Sequence, residues 1–344
     1  MKMNALVQDR YGLPDVLELR SVDRPAPGPD QVLIRVVSSC INPADWHRVT
    51  GTPIIARPGF GSSYGWRRPK NAIPGCDVAG VVETVGTGVT DFAPGDRVFA
   101  EIGVGGFAEY ALAPARALAR IPDSVTFAQA ASIPVAGLTA LQGLRDQGAV
   151  AASSRVLVIG ASGGVGTFAV QIAKAMGAEV TAVCSTAKTD LVRSLGADHV
   201  IDYTEQDYLE TAERFDVVLD NVGNRPHRHI AKVLTPDGRY VMVSGPKRRW
   251  IGPIGRMVTG WLAFSFRSQQ VKIFVAKSDA ADLAHLAALV AAGDVEPVIG
   301  GEYSLAEVPG ALRQLGHGHT LGKAVVNIAG SPEHTPAEEK EEAV

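Results

Sequence analysis

Gly160, Gly163, Gly164 and Gly166 set the first chemical constraint on this chain. They lie in the run from Arg155 to Tyr203, RVLVIGASGGVGTFAVQIAKAMGAEVTAVCSTAKTDLVRSLGADHVIDY. Val156 to Ile159, just before them, is a short apolar run suited to a strand buried on both faces. Glycine permits positive φ and lets a backbone approach a phosphate closely. Phe168 to Met176 then carries a helical pattern that closes at Gly177, a natural C-cap. The open N–H groups at the start of such a helix, with its positive dipole end, favour an anion. Ser162, Gly163, Gly164, Val165 and Gly166 are therefore expected to hold the pyrophosphate of a dinucleotide. A bare strand-to-helix turn would use the same glycines, but the flanking strand, helix and second strand favour the dinucleotide.

The second strand, Glu179 to Cys184, should end near the adenosine ribose. A carboxylate there would hold a 2′-hydroxyl and repel a 2′-phosphate. The residues that follow are Ser185, Thr186, Ala187 and Lys188. Hydroxyls and an ammonium attract a phosphate, so the expected cofactor is NADPH rather than NADH. Lys188 read alone is an ordinary solvated lysine at a helix start.

These residues need a framework. The 344 residues, with 33 Lys and Arg against 36 Asp and Glu, have length for two domains and no charge excess that points to nucleic acid. Cys40, Cys76 and Cys184 form no CxxC pair, which leaves no disulfide framework or structural zinc lobe. No signal-peptide pattern opens the chain, and a cytoplasmic enzyme is expected. The first third reads as short strands separated by turns, a compact β-barrel: Met3 to Gln8, Val32 to Ser38, Ala79 to Val85, Arg97 to Ala100 and Phe107 to Ala113. Phe127 to Leu144 is helical, broken at Pro134 and Gly137. Strands are then expected at Arg155 to Ile159, Glu179 to Cys184, His199 to Ile201, Val217 to Asn221, Tyr240 to Ser244 and Ile273 to Val275. They make a six-stranded doubly wound α/β sheet. Asp282 to Ala292 is a helix, and Val325 to Ile328 a last strand returning to the β domain. Trp250 to Phe266 is apolar, but glycines, Pro253 and Arg256 interrupt it. It is expected to pack over the cleft or a partner subunit rather than insert stably in a membrane. From Ser331 the chain is acidic and expected to be disordered.

Several segments together give the chain a family resemblance: INPADW (Ile41 to Trp46), PGCDVAGVVETVG (Pro74 to Gly86), PGDRVF (Pro94 to Phe99), GGFAEY (Gly105 to Tyr110), AGLTAL (Ala136 to Leu141), the GASGGVG turn, LGADHVIDY (Leu195 to Tyr203) and GKAVV (Gly322 to Val326). The sequence resembles the medium-chain dehydrogenase/reductase superfamily, in its zinc-free quinone oxidoreductase branch that includes ζ-crystallin. The resemblance implies a GroES-like β-barrel domain, residues 1–124 and 301–330, and a six-stranded Rossmann domain, residues 125–300, with the cofactor in the cleft between them. The tail is 331–344. It also implies a homodimer joined near Ile273 to Val275.

The departures from the family's zinc-dependent members bear on chemistry. Where those members place zinc ligands, this chain has Asn42, Cys76-Asp77 and Val135, which make no tetrahedral metal site; no metal is expected. The resemblance places Asn42 and Asp45 as catalytic-loop residues facing the nicotinamide ribose and substrate, Asn42 as an amide donor and Asp45 alternatively as a helix cap. It places Thr139, Asn221, Val222, Ser244, Phe274, Val275, Lys323 and Asn327 around the nicotinamide half of the cofactor, and Tyr203 near the adenine or 2′-phosphate. Tyr64, in SSYGW, is nominated as an acid because related enoyl thioester reductases carry a catalytic tyrosine in a similar setting. His47 is a further candidate.

Without a Lewis acid, hydride transfer suits acceptors that delocalise the developing charge. The expected activity is NADPH-dependent reduction of a small-molecule quinone or α,β-unsaturated carbonyl. The alternatives are a zinc-free alcohol or carbonyl dehydrogenase and a non-catalytic NADPH-binding structural or regulatory protein.

Overall fold

The strands of the first third and of the chain's end close on one another. The computed structural model describes residues 1–54, 57, 64–243, 254–265, 267–318 and 320–328. In the barrel half, β1 (Lys2–Val7) and β2 (Glu18–Asp23) form an antiparallel ribbon. The main barrel sheet contains β3 (Gln31–Ile41), β4 (Asp77–Val85), β5 (Arg97–Glu101), β6 (Tyr110–Pro114), β7 (Ala119–Arg120), β14 (Ile299–Ser304) and β15 (Lys323–Asn327). Its order is β14-β15-β3-β4-β5-β7, with β6 also paired to β3. Val32, Ile34, Val36, Val78, Val82, Val98 and Phe107 fill its interior. Helix α1 (Pro43–Thr50) leaves β3, and α9 (Val308–His317) packs beside it.

The second half is the doubly wound sheet. Its parallel strands are β8 (Arg155–Ile159), β9 (Glu179–Cys184), β10 (His199–Asp202), β11 (Phe215–Asp220), β12 (Leu234–Met242) and β13 (Gln270–Ile273). Their order, β10-β9-β8-β11-β12-β13, reverses direction between β8 and β11. Ligands of open α/β sheets bind at such a reversal, beyond the carboxyl ends of the strands. Helices α2 (Phe127–Ser132), α3 (Pro134–Gln142), α4 (Gly164–Ala175), α5 (Thr189–Ser194), α6 (His227–Val233), α7 (Ile254–Phe264) and α8 (Ala280–Ala292) accompany it. The α/β class and the pairing of a barrel with a six-stranded sheet agree with the sequence reading.

Some boundaries differ. The last strand of the sheet ends at Ile273, so Phe274 and Val275 lie beyond it. Phe274 packs against Gly143, and Val275 is exposed. The helix expected from Phe127 to Leu144 divides at Pro134, which cannot donate to the preceding turn, and widens into a π turn at Gly143–Gly148. Asp279 caps α8 by accepting from Asp282 N at 2.9 Å, which starts that helix earlier than its apolar pattern suggested. Of the apolar segment, α7 packs against β13 and α6. Ser244 and the acidic tail lie outside the described residues.

At the carboxyl end of β11 the buried Asp220 organises a polar knot. Its Oδ1 accepts from the backbone N–H groups of Val222 and Gly223, and its Oδ2 accepts from Tyr240 Oη at 2.7 Å. Arg256 of α7 donates to Tyr240 Oη at 2.6 Å and to Arg225 O at 2.6 Å. The knot ties α7 to the sheet. Removing one hydroxyl strands its buried partners, at a cost of about 1–3 kcal/mol. Tyr240→Phe is therefore expected to lower the urea midpoint without changing the slope of the transition; an unchanged midpoint would show that the knot contributes nothing net.

Candidate active site at the cleft

The glycine turn has the form that a pyrophosphate requires. Gly160 sits at φ +77°, a conformation that L side chains avoid. A Cβ on Gly166 would lie 2.2 Å from Gly160 O, so the third glycine lets α4 start directly against β8. Gly163 is the N-cap of α4, and no side chain caps the helix. Its first-turn N–H groups are thus left for an external acceptor. Beside the turn, Asn221 donates from Nδ2 to Ile159 O, while its buried Oδ1 has no partner among the described residues. That orphaned acceptor at the sheet reversal suits a ribose hydroxyl. Val222 is half-exposed over Gly160.

Beyond β9, Ser185, Thr186 and Lys188 occupy a short turn at the sheet's carboxyl edge. Lys188 Nζ reaches Thr320 O of the barrel half at 3.4 Å. Tyr203 is exposed beside them. The structure adds an acid that reading along the chain missed. Asp202, the last residue of β10, stands in register with Cys184. Hydrogen bonds from Thr186 and Thr204 hold its carboxyl below the usual range.

The two halves meet at Gly322-Lys323. Gly322 donates to Ser162 O at 2.9 Å and forms a bridge with Gly163. A Cβ on Gly164 would lie 2.8 Å from Lys323 Cδ, so that glycine also makes room for the lysine stem. Lys323, only 4 % exposed, donates to Asn42 Oδ1 at 2.5 Å and lies 3.8 Å from Asp77 Oδ2. Asn42 in turn donates to Asp77 Oδ2 at 2.8 Å and Cys40 O at 3.2 Å. Asp77 Oδ1 accepts from Val135 N at 3.2 Å.

A second buried chain adjoins the first. Asp45 accepts from Asn42 N at 2.9 Å through Oδ2 and from Cys76 Sγ at 2.9 Å through Oδ1. Arg48 donates to Cys76 Sγ, and the buried Arg48 Nε has no partner among the described residues. Burial pushes the Asp45 and Glu101 carboxyls up, and the Cys76 thiol well above its ordinary value. It pushes Asp77 up to about 7, against the opposing pull of Lys323 and Asn42. Burial would lower Lys323, but neighbouring Cys40 and Asp77 outweigh it and hold the ammonium charged. The two partners thus shift for different reasons. Lys323 bonds to Asn42 rather than directly to Asp77, so desolvation dominates at the carboxyl. Tyr64 is half-buried near Arg48, and desolvation raises its hydroxyl to about 12.

These contacts revise several expected roles. Both amide hydrogens of Asn42 are used within the protein, so it does not present a free donor to a ligand. Asp45 supports the start of α1 and receives the Cys76 thiol. Cys76 links Asp45 and Arg48 by hydrogen bonds. Thr139 Oγ1 donates to Val135 O at 2.6 Å within α3. Asn327 sits at the far end of β15 from Lys323. It donates to Glu302 Oε2 at 2.7 Å and accepts from Ser38 Oγ at 3.4 Å, which separates it from the Lys323 cluster. Phe274 belongs to the packing around Gly143, and Val275 is exposed. His47 pairs with Thr52 O at 2.9 Å. Arg48 and Asp77 are the members that the sequence reading gave no site role. Their one signal is a charged residue inside an otherwise apolar or helical motif. Among the described residues, no group of three or more His, Cys, Asp or Glu could hold a metal ion.

Comparisons with known proteins bear on the fold that carries this site. Residues 28–123 match the alcohol dehydrogenase GroES-like domain, 195–326 the zinc-binding dehydrogenase family, and 137–233 the C-terminal domain of alanine dehydrogenase/PNT. The chain is 34% identical to the mitochondrial NAD(P)H oxidoreductase RTN4IP1 of Mus musculus, over 95% of this chain and 89% of that protein. It is also 34% identical to the 2-methylene-furan-3-one reductase of Solanum lycopersicum, over 95% of this chain and 79% of that one. The structure of the quinone oxidoreductase from Coxiella burnetii superposes with a TM-score of 0.82 at 28% identity, covering 95% of this chain and 99% of that one.

The raised carboxyl of Asp77 has a measurable consequence. Between its ordinary value of 3.8 and about 7, the folded protein holds a proton that the unfolded chain releases. Stability from this group is therefore lost as pH rises through that window. Asp77→Asn is expected to flatten the fall in urea midpoint between pH 5 and pH 8; parallel pH profiles in the two proteins would refute the assignment.

Proposed function

We propose a function from one premise: the chain belongs to the medium-chain dehydrogenase/reductase superfamily, in its quinone oxidoreductase branch. It is an oxidoreductase with a nicotinamide cofactor. Our reading is an NADPH-dependent reductase of quinones or α,β-unsaturated carbonyls that works without zinc. The observation that carries this reading is the pair of cations at the cleft, one buried and one half-buried. Lys323 Nζ lies against Asn42 and Asp77, and Arg48 lies against Cys76. Zinc needs deprotonated, converging ligands. A protonated thiol, an amide, the backbone N–H of Val135 and two cations do not fit it. No step is therefore assigned to zinc.

The glycine turn and Asn221 Oδ1 fit the cofactor's pyrophosphate and ribose, and Ser185, Thr186 and Lys188 fit its 2′-phosphate. When bound, NADPH supplies a hydride to the acceptor. The protein's part is to position the acceptor, exclude water and stabilise charge on the acceptor oxygen. Tyr64 Oη, raised by burial, stays protonated at neutral pH and can donate a hydrogen bond there. The positive charge of Arg48 beside it favours the developing anion. Lys323 acts through its stem and Asn42, holding the barrel against the glycine turn. Relatives named for reduction of a methylene-furanone and of quinones support a conjugated acceptor. Asp202 favours the other cofactor, since a carboxylate near the 2′ position suits NADH. Thr186 and Thr204 engage it in this structure.

Oxidation of NADPH should be followed with a quinone, an enone and, in reverse with NADP, a simple alcohol. The first two are expected to turn over, and prolonged chelation should leave the rate unchanged. Alcohol oxidation that chelation abolishes would overturn the reading. For the cofactor, Lys188→Ala should raise KM for NADPH by about tenfold or more, because a charge-assisted phosphate contact is lost. KM for NADH should barely move; equal losses would sink the 2′-phosphate assignment.

A further inference from the structure

Helix α7 buries one face and leaves the other to solvent. On the inner face a Cβ on Gly260 would lie 3.1 Å from the His227 ring, and Phe264 is buried, stacked 6.0 Å from Tyr240. His227 Nε2 donates to Arg256 O at 3.0 Å, which holds the helix against α6. On the outer face Val258, Trp261 and Leu262 are 54%, 64% and 57% exposed. Steps of three and four residues put them side by side on one face of a helix. Among the described residues, no other element leaves three large apolar side chains open to solvent.

Cations surround this face. From Asn221 to Ala276 the sequence has ten Lys and Arg and one acid, Asp237, in a chain that carries 33 Lys and Arg against 36 Asp and Glu. Arg225 is paired with Asp207, and Arg256 is held in the polar knot. Arg228 and Lys232, one helical turn apart, are exposed on α6. Arg267 is exposed at the carboxyl end of α7, where its backbone N–H donates to Phe264 O at 3.0 Å. Asp237 is exposed on the turn where Ser268 donates to Pro236 O. This charge decides what can cover the helix. A two-fold contact sets a patch against its own copy, which would bring Arg228, Lys232 and Arg267 of two chains together. A bilayer containing anionic lipid supplies both missing partners, acyl chains for the apolar face and phosphates for the cations. The eleven residues of α7 extend about 16 Å, well short of the bilayer core of about 30 Å. No helix among the described residues is long and apolar enough to cross a membrane.

We propose that α7 docks this protein on the surface of anionic membranes. The helix lies along the interface, with Val258, Trp261 and Leu262 among the upper acyl chains and Arg228, Lys232 and Arg267 against lipid phosphates. Docking is peripheral and reversible. Three apolar side chains do not anchor a protein permanently, and salt screens the ionic part. The surface uses none of the residues assigned to the cofactor, so it stands or falls independently of the reductase reading.

The test mixes the full chain with vesicles of phosphatidylcholine alone, or of phosphatidylcholine and phosphatidylglycerol in equal parts, and separates bound protein by flotation. The wild-type protein should bind the anionic vesicles about tenfold or more tighter than the neutral ones, and added salt should release it. Lipids brominated in their acyl chains should quench its tryptophan emission, and Trp261→Ser should remove most of that quenching. Two sets of exposed substitutions separate the contributions. Trp261→Ser with Leu262→Ser, and Arg228→Gln with Lys232→Gln and Arg267→Gln, should each weaken anionic-vesicle binding by about tenfold or more. Wild-type protein that does not float with anionic vesicles overturns the proposal without any variant. So does binding that survives either set of substitutions. If neither protein binds vesicles and Trp261→Ser with Leu262→Ser halves the mass measured by light scattering, the face is a contact between two copies and the proposal falls.

Discussion

A buried ammonium holds the two halves of this protein in register. Lys323 stands at the first position of the last barrel strand, and its stem lies where Gly164 has no side chain. Taking a charge out of water costs several kcal/mol unless hydrogen bonds and an opposite charge offset it. Here Asn42 supplies the bond, and Asp77, in its ionised form, the opposite charge. That need fixes the rest of the cleft. Asn42 must sit at the end of β3, Asp77 must open β4, and the turn before β15 must lie against Ser162 and Gly163. The cofactor turn and the acceptor loop are thus positioned by one desolvated group.

The same logic explains the acids gathered behind it. Asp45, Asp77 and Glu101 are each buried enough to disfavour their charged forms. They are tolerable because two cations and a thiol share the space. Removing any one member would leave its neighbours with unpaired buried polarity, the situation that costs most in a low-dielectric interior. The region is a mutually dependent set of buried polar groups.

The parts of this structure that were legible from sequence are those governed by local spacing. The glycine turn, the strands around it and the sheet of six parallel strands follow from short-range patterns, and the structure has them. The parts that were not legible depend on partners distant in sequence. Asp202 neighbours the end of β9 across the sheet, not along the chain. Lys323 and Asn42 are 281 positions apart. Asn327 lies near Lys323 in sequence, yet the strand carries it to the other end of the barrel, where Glu302 and Ser38 claim its amide. Asn42 looked like a donor because its type is right, but a residue's type does not reveal that its hydrogens are already committed.

The placement of β15 also bears on how the chain is made. Strand β3 lies at the centre of the barrel sheet, and one of its neighbours arrives only with the last residues of the domain, Ser38 meeting Asn327 across 289 positions. On a ribosome, the barrel's first strands emerge long before that neighbour exists, and the whole nucleotide-binding half is synthesised in between. During that interval β6 can cover Gln31–Arg35 of β3, but Ser38–Ile41 lacks its β15 partner, an open edge of the kind that invites mispairing. The nucleotide-binding half, whose sheet is drawn from one continuous stretch, can form without waiting. The four residues Ser38–Ile41 can complete their pairing only after the nucleotide-binding half has been made.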